Sequence, residues 1–187
     1  MNNILEIEIG YLIKNVWNLE ELKNKPNLYV RDVFENKEEF IYTVKENTRK
    51  NIYENNYVCG DIFHMEGIFI MKYKNKTIIP IENFDYVPEL IVYFLNALEE
   101  CIEQKESEFS YPDQPLEVRL ELNDNYIILV VENNSYRIEK DLFLKIFLEK
   151  AKMFFEIIRY GIGVSSYGYE LKKIDDLYKI YNLSDKK

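Results

Sequence analysis

The sequence predicts an α+β fold: a mostly antiparallel sheet built from two hairpin-then-helix units, with helices packed on it and an amphipathic helix at the C-terminus. Three observations predict it. Two pairs of apolar, β-branched runs are joined by short polar turns, Lys74-Asn75-Lys76 and Asn123-Asp124-Asn125. Each pair is followed by a stretch whose apolar residues recur every three or four positions, starting near Val87 and near Asp141. The 187 residues are 47% hydrophobic and 15% aromatic with only 6 Gly and 5 Pro, so enough apolar surface is available to offset the entropy of ordering the chain. This length suits a single domain over 1–187, with sub-units at 1–60, 61–161 and 162–187.

Ile4-Leu5-Glu6-Ile7-Glu8-Ile9 alternates in part and predicts a strand through about Ile13. Asn18 with Glu21 three residues on has the form of a capping box, opening a short helix that Pro26 ends. Leu28 to Phe34 reads as a strand. Asn36 and Glu39 repeat the capping signal, and Phe40, Ile41, Val44, Thr48 and Ile52 recur at helical spacing, which favours a helix despite the β-branched content.

The first hairpin runs from Met65 to Tyr73 and from Thr77 to Ile81, where Pro80 cannot donate to a ladder and so marks an edge or a bulge. After Asp85 the strongest helix begins, with Pro88 in its first turn. Val87, Leu90, Ile91, Phe94, Leu98, Cys101 and Ile102 share one face of it, while Glu89, Asn96, Glu99 and Glu103 lie largely off that face. Residues 106–115 read as a loop.

Leu116, Val118, Leu120 and Leu122 alternate with Glu117, Arg119 and Glu121, the pattern of a half-buried strand. The continuous apolar run from Tyr126 to Glu132 predicts a central strand covered on both faces. Ser135 to Ile138 forms a further short strand. Asp141 then caps a second strong helix, with Leu144, Phe147, Leu148, Ala151, Phe154, Phe155 and Ile158 on its apolar face and Arg159 and Gly161 as its stop. Leu171, Ile174, Leu177, Tyr178 and Tyr181 predict the final helix. An echo at an offset of fifty residues, Ile78-Ile79-Pro80-Ile81-Glu82-Asn83 against Ile128-Leu129-Val130-Val131-Glu132-Asn133, has the form of either a duplication or two similar supersecondary units.

Charge narrows the function. The chain carries 24 Lys+Arg against 33 Asp+Glu, a net −9, which disfavours phosphate backbones and anionic membrane surfaces as partners. The excess is uneven, with 14 basic and 26 acidic groups in residues 1–139 against 10 and 7 in 140–187. No apolar run reaches membrane-spanning length and no secretory leader is visible, and two cysteines, Cys59 and Cys101, fit thiols in a reducing compartment; a cytoplasmic protein is expected.

Catalytic signals are sparse. Cys59, Asp61, His64 and Glu66 gather a thiol, two carboxylates and the only histidine within eight residues. On a strand, however, His64 and Glu66 face away from Cys59 and Asp61. Gly161-Ile162-Gly163-Val164-Ser165-Ser166-Tyr167-Gly168 lacks the Lys-Ser/Thr of a phosphate loop and follows a helix instead of a strand. No cofactor or metal is implied.

The outstanding feature is a run of seven acids, Glu99, Glu100, Glu103, Glu106, Glu108, Asp113 and Glu117, with only Lys105 among them and Phe109 and Tyr111 interleaved. Acids near a helix C-terminus oppose its macrodipole, so folding does not ask for them there. The reading is a non-catalytic acidic module that binds a basic protein through Glu99, Glu103, Glu106, Glu108, Phe109, Tyr111, Asp113 and Glu117, in the manner of an immunity or inhibitor protein that neutralises a bacterial toxin. Two other classes stand beside it: a metal-dependent or small-molecule enzyme centred on His64, with Asp61 and Glu66 near it, and a structural subunit that self-associates through the face from Leu144 to Ile158.

Overall fold

The structure, a computed structural model, describes residues 4–12, 41–43, 66–80, 83, 85–161, 166–181 and 183. The alternation near the N-terminus becomes β1 (Leu5–Leu12), with Leu5, Ile7 and Ile9 buried. It lies between β2 (Ile41–Thr43) and β3 (Glu66–Tyr73), antiparallel to both. A two-residue reversal at Lys74 and Asn75 leads from β3 into β4 (Lys76–Ile79). Both turn residues adopt positive φ, 51° and 64°, which matches the twist of a tight hairpin. β4 stops at Ile79, before Pro80, and β5 (Asp85–Tyr86) pairs with the start of β3.

Helix α1 (Val87–Gln104) starts with Pro88 in its first turn and ends at Lys105, whose φ of 74° lets its N–H donate to the Cys101 carbonyl at 2.9 Å. A second antiparallel sheet follows in the order β6 (Glu106–Ser110), β7 (Glu117–Asn123), β8 (Tyr126–Val131) and β9 (Asn134–Glu139). Helix α2 (Lys140–Glu156) runs into one π-helical turn, Ile157–Gly161, and α3 (Gly168–Ile180) closes the chain. The Arg159 guanidinium donates to the Ser166 carbonyl at 3.2 Å across the connection. The fold is α+β, with two antiparallel sheets, three helices and a C-terminal helix among the described residues.

Each hairpin unit owns a sheet, and the two long helices pack on both sheets. α1 packs on β6 and β7 of the second sheet and on β1, β3 and β5 of the first; α2 packs on β1 of the first sheet and on β8 and β9 of the second. Phe94 of α1 is the junction, with its ring 4.9 Å from Phe69 on β3, 5.5 Å from Phe147 on α2 and 4.6 Å from Phe109 on β6. The main apolar core is therefore one contiguous cluster running through both sheets and all three helices. The face from Leu144 to Ile158, weighed as a self-association surface, is part of this core: Leu144, Phe147, Leu148, Ala151, Phe154, Phe155 and Ile158 are all buried.

Three expectations are corrected. Residues 41–43, read at helical spacing, form strand β2, because Ile41, Tyr42 and Thr43 pair with the edge of β1 and strand pairing outweighs a weak helical pattern. Residues 106–110, read as loop, form strand β6; its polar content hides a two-residue alternation in which only Ser107 and Phe109 turn toward α1. β8, expected to be covered on both faces, buries Ile127, Leu129 and Val131 but leaves Ile128 and Val130 half-buried. The expected helix at 18–26, the strand at 28–34, the remainder of 36–52, and Cys59, Asp61 and His64 lie outside the described residues.

Candidate interaction surface

Among the described residues strand β6 is an edge strand, paired only with β7. The Leu122 N–H donates to the Lys105 carbonyl at 2.7 Å and the Tyr111 N–H to the Leu116 carbonyl at 2.9 Å. Alternation along an antiparallel ladder then assigns the main-chain groups of Ser107 and Phe109 to β7 as well. Those of Glu106, Glu108 and Ser110 point the other way, along the edge of the sheet that no described strand pairs with.

The inward side chains of β6 are committed to the core. The Ser107 hydroxyl donates to the Ala97 carbonyl of α1 at 2.6 Å. Phe109 is half-buried, edge-on to Phe94 and 6.5 Å from the parallel ring of Tyr111. Tyr111 is 3% exposed, and its hydroxyl is the only buried side-chain polar atom without a hydrogen-bond partner among the described residues. Burial pushes that hydroxyl far above its ordinary range, and the nearby Asp85 carboxylate adds to the effect.

Outward, the same strands carry charge. Glu106 and Glu108 on β6 and Glu117 and Arg119 on β7 are exposed, and Glu121 is half-exposed. The register sets Glu106 opposite Glu121, Glu108 opposite Arg119, and Ser110 opposite Glu117. Arg119 Nε donates to Glu121 Oε1 at 3.1 Å along its own strand.

The loop from β6 to β7 is tied to the first sheet by Asp85, whose buried carboxylate accepts the Tyr86 N–H at 2.6 Å and the Asp113 N–H at 3.1 Å on both oxygens. Burial raises the Asp85 carboxyl above its ordinary range and these N–H donors pull it part of the way back. The tie leaves the Asp113 side chain exposed.

Of the sequence-predicted residues, Glu103, Glu106, Glu108, Asp113 and Glu117 are exposed and make no ion pair with a described residue. Glu99 differs: it is half-buried and accepts from Lys173 Nζ at 2.6 Å. Lys173, with a side chain only 7% exposed, also donates to Asn96 Oδ1 at 2.9 Å and so ties α3 to α1. The two aromatic residues of the predicted set, Phe109 and Tyr111, are drawn toward the protein's own core.

A groove of about 500 Å³ separates the outer side of α1 from the open edge of β6, lined by Tyr93, Asn96 and Glu100 on the helix and by Glu108, Ser110 and Pro112 opposite. Tyr93, 41% exposed, is the aromatic ring this surface offers to solvent, with Tyr169 and Ile180 of α3 exposed further along the molecule. Tyr93, Glu100 and Glu121 are absent from the predicted set. Helical spacing contains the signal for the first two, since Tyr93, Asn96, Glu100 and Glu103 follow one another at intervals of three or four on the side away from the core.

Elsewhere among the described residues, no group of three or more His, Cys, Asp or Glu side chains is arranged to hold a metal, and no helix is long and apolar enough to cross a membrane. Burial raises the Cys101 thiol above its ordinary value, and its S–H points to the Lys105 carbonyl at 3.8 Å, the setting of an inert structural cysteine. Comparison with known protein families, curated proteins and solved structures gives no match to the chain.

Proposed function

We propose that the protein is a non-catalytic module that binds a basic protein through the carboxylates gathered where α1, β6 and β7 meet. The observation that carries this reading is the cross-strand pair Glu106 and Glu121, two like charges set directly opposite each other, of which Glu121 is engaged by Arg119 while Glu106 has no ion pair with a described residue. Such a pair weakens a sheet, and acids at the C-terminal end of α1 oppose its dipole, so fold stability does not account for either. A cationic partner accounts for both, because it converts mutual repulsion into attraction. Exposed carboxylates steer a basic protein into encounter, and an exposed Tyr93 beside them supplies a ring that desolvates on contact. Neutralisation of a basic toxin, the work of bacterial immunity proteins, is the specific form of this reading that the sequence suggests.

The test is a comparison of the native chain with a variant carrying Glu103→Gln, Glu106→Gln, Glu108→Gln and Asp113→Asn, both used to capture partners from the source cell, followed by association kinetics with the protein retained. The expected result is a positively charged partner whose association slows about ten-fold or more with rising salt, and a variant with slower, salt-insensitive association. Equal rates and equal salt dependence for the two chains overturn the proposal.

A further inference from the structure

We infer that the groove between α1 and β6 takes an extended, lysine- or arginine-bearing segment of the partner, added as a further strand along the edge of β6 that no described strand occupies. The inference rests on the acidic-surface reading above and gives it a binding mode.

An open strand edge is ordinarily blunted by proline, lysine, a bulge or a covering element. β6 has none of the first three. Glu106-Ser107-Glu108-Phe109-Ser110 pairs with β7 through five consecutive residues without a register shift, and the first proline after it, Pro112, lies beyond the strand. The outward main-chain groups of Glu106, Glu108 and Ser110 make no hydrogen bond to other described residues. They form a template for strand addition, the mode in which main-chain bonds supply affinity and alternate side chains supply specificity.

Charge decides the occupant. A second copy aligned antiparallel on the same edge and centred on Ser107 or Glu108 would set glutamates of the two β6 strands side by side, which is destabilising, so the edge suits a cationic strand better than a second copy. A strand carrying cations at every second position places them beside Glu106 and Glu108 on the outer face. The intervening side chains then turn toward α1, where Tyr93, Asn96 and Glu100 line the opposite wall. Tyr111, just beyond β6, closes the groove on the strand side, with its ring packed into the protein's own core.

The experiment uses the full chain and a capped, fluorescent decapeptide alternating lysine and valine, read by anisotropy. Two further peptides carry N-methyl groups on one or the other alternate set of amides, which removes donors without changing charge. Only one set of amides faces β6 in an added strand, so methylating that set weakens binding by about ten-fold or more while methylating the other leaves it nearly unchanged. Ser110→Pro, which deletes an edge-facing donor outside the β6–β7 ladder, weakens binding in parallel.

Equal effects of the two methylated peptides, combined with weaker binding to Glu106→Gln/Glu108→Gln, overturn strand addition and leave the acidic-surface reading standing. Unchanged affinity in the Glu106→Gln/Glu108→Gln variant overturns both. A dimer in sedimentation that Ser110→Pro dissociates assigns the edge to a second copy and overturns the inference as well.

Discussion

Strands β3 and β8 carry equally continuous apolar runs, Ile68-Phe69-Ile70-Met71 and Ile127-Ile128-Leu129-Val130-Val131, yet they end in different surroundings. β3 is buried on both faces, with Phe69 and Met71 in the main core and Ile68 and Ile70 buried on the opposite side. β8 is buried on one face only. Its outward Ile128 and Val130 are half-buried and stand beside Arg119 and Glu121 of β7 and Ser135 and Arg137 of β9. An apolar run fixes that a strand is central in its sheet, since both strands have neighbours on each side. Which faces are covered depends on what packs above and below. The side left to water is the one that carries the carboxylates.

The widest gap between the two strands is expected on truncation. Ile68→Ala, at a fully buried position, costs about 2–5 kcal/mol in urea denaturation, whereas Ile128→Ala, half-buried and free to rehydrate, costs about 1 kcal/mol or less. Similar losses at the two sites would mean that the outer face of β8 is as well covered as that of β3.

Asp85 joins the two sheets, lying opposite Gly67 of β3 and accepting from the β6–β7 loop. Its carboxyl is raised above 3.8 by burial, so the native chain holds this proton more tightly than the unfolded chain does. The stabilising contribution is therefore complete below pH 3.8 and is lost as pH rises through the raised value. Urea midpoints of the native chain, measured relative to Asp85→Asn, are expected to fall as pH rises above 3.8. A difference that rises instead would show that the N–H donors of Tyr86 and Asp113 outweigh the cost of burying the charge.

The smallest effect is expected on the outer face of the second sheet. Glu106→Gln removes the repulsion from Glu121 and is expected to leave stability unchanged or raise it by up to about 0.5 kcal/mol. A clear loss of thermal stability would tie Glu106 to folding and weaken the case for a partner.

Much of this architecture was legible because it is written in local periodicity. The hairpin at Lys74-Asn75, the helices over Val87–Gln104 and Lys140–Glu156, and the alternation of Leu116, Val118, Leu120 and Leu122 depend on which side of one element is apolar. β6 escaped because Glu106, Glu108 and Ser110 give it a loop-like composition; its strand character comes from pairing with β7. β2 escaped for the related reason that Ile41–Thr43 pairs with β1, far away in sequence. In the candidate site, the cluster of exposed acids was legible from their density. The engagement of Glu99 by Lys173 was not, because those residues meet only when α3 folds back on α1.

By itself, the sequence determined the α+β class, the hairpin-then-helix order and the acidic character of the segment between the two units, because composition and periodicity act over a few neighbouring residues. Tertiary structure alone decided that each long helix packs on both sheets, that Phe109 and Tyr111 face inward while Tyr93 faces out, and that β6 pairs with no described strand on the side of the groove. Those outcomes depend on contacts between residues distant along the chain, where several local patterns compete for the same core and the packing that buries the most apolar surface prevails.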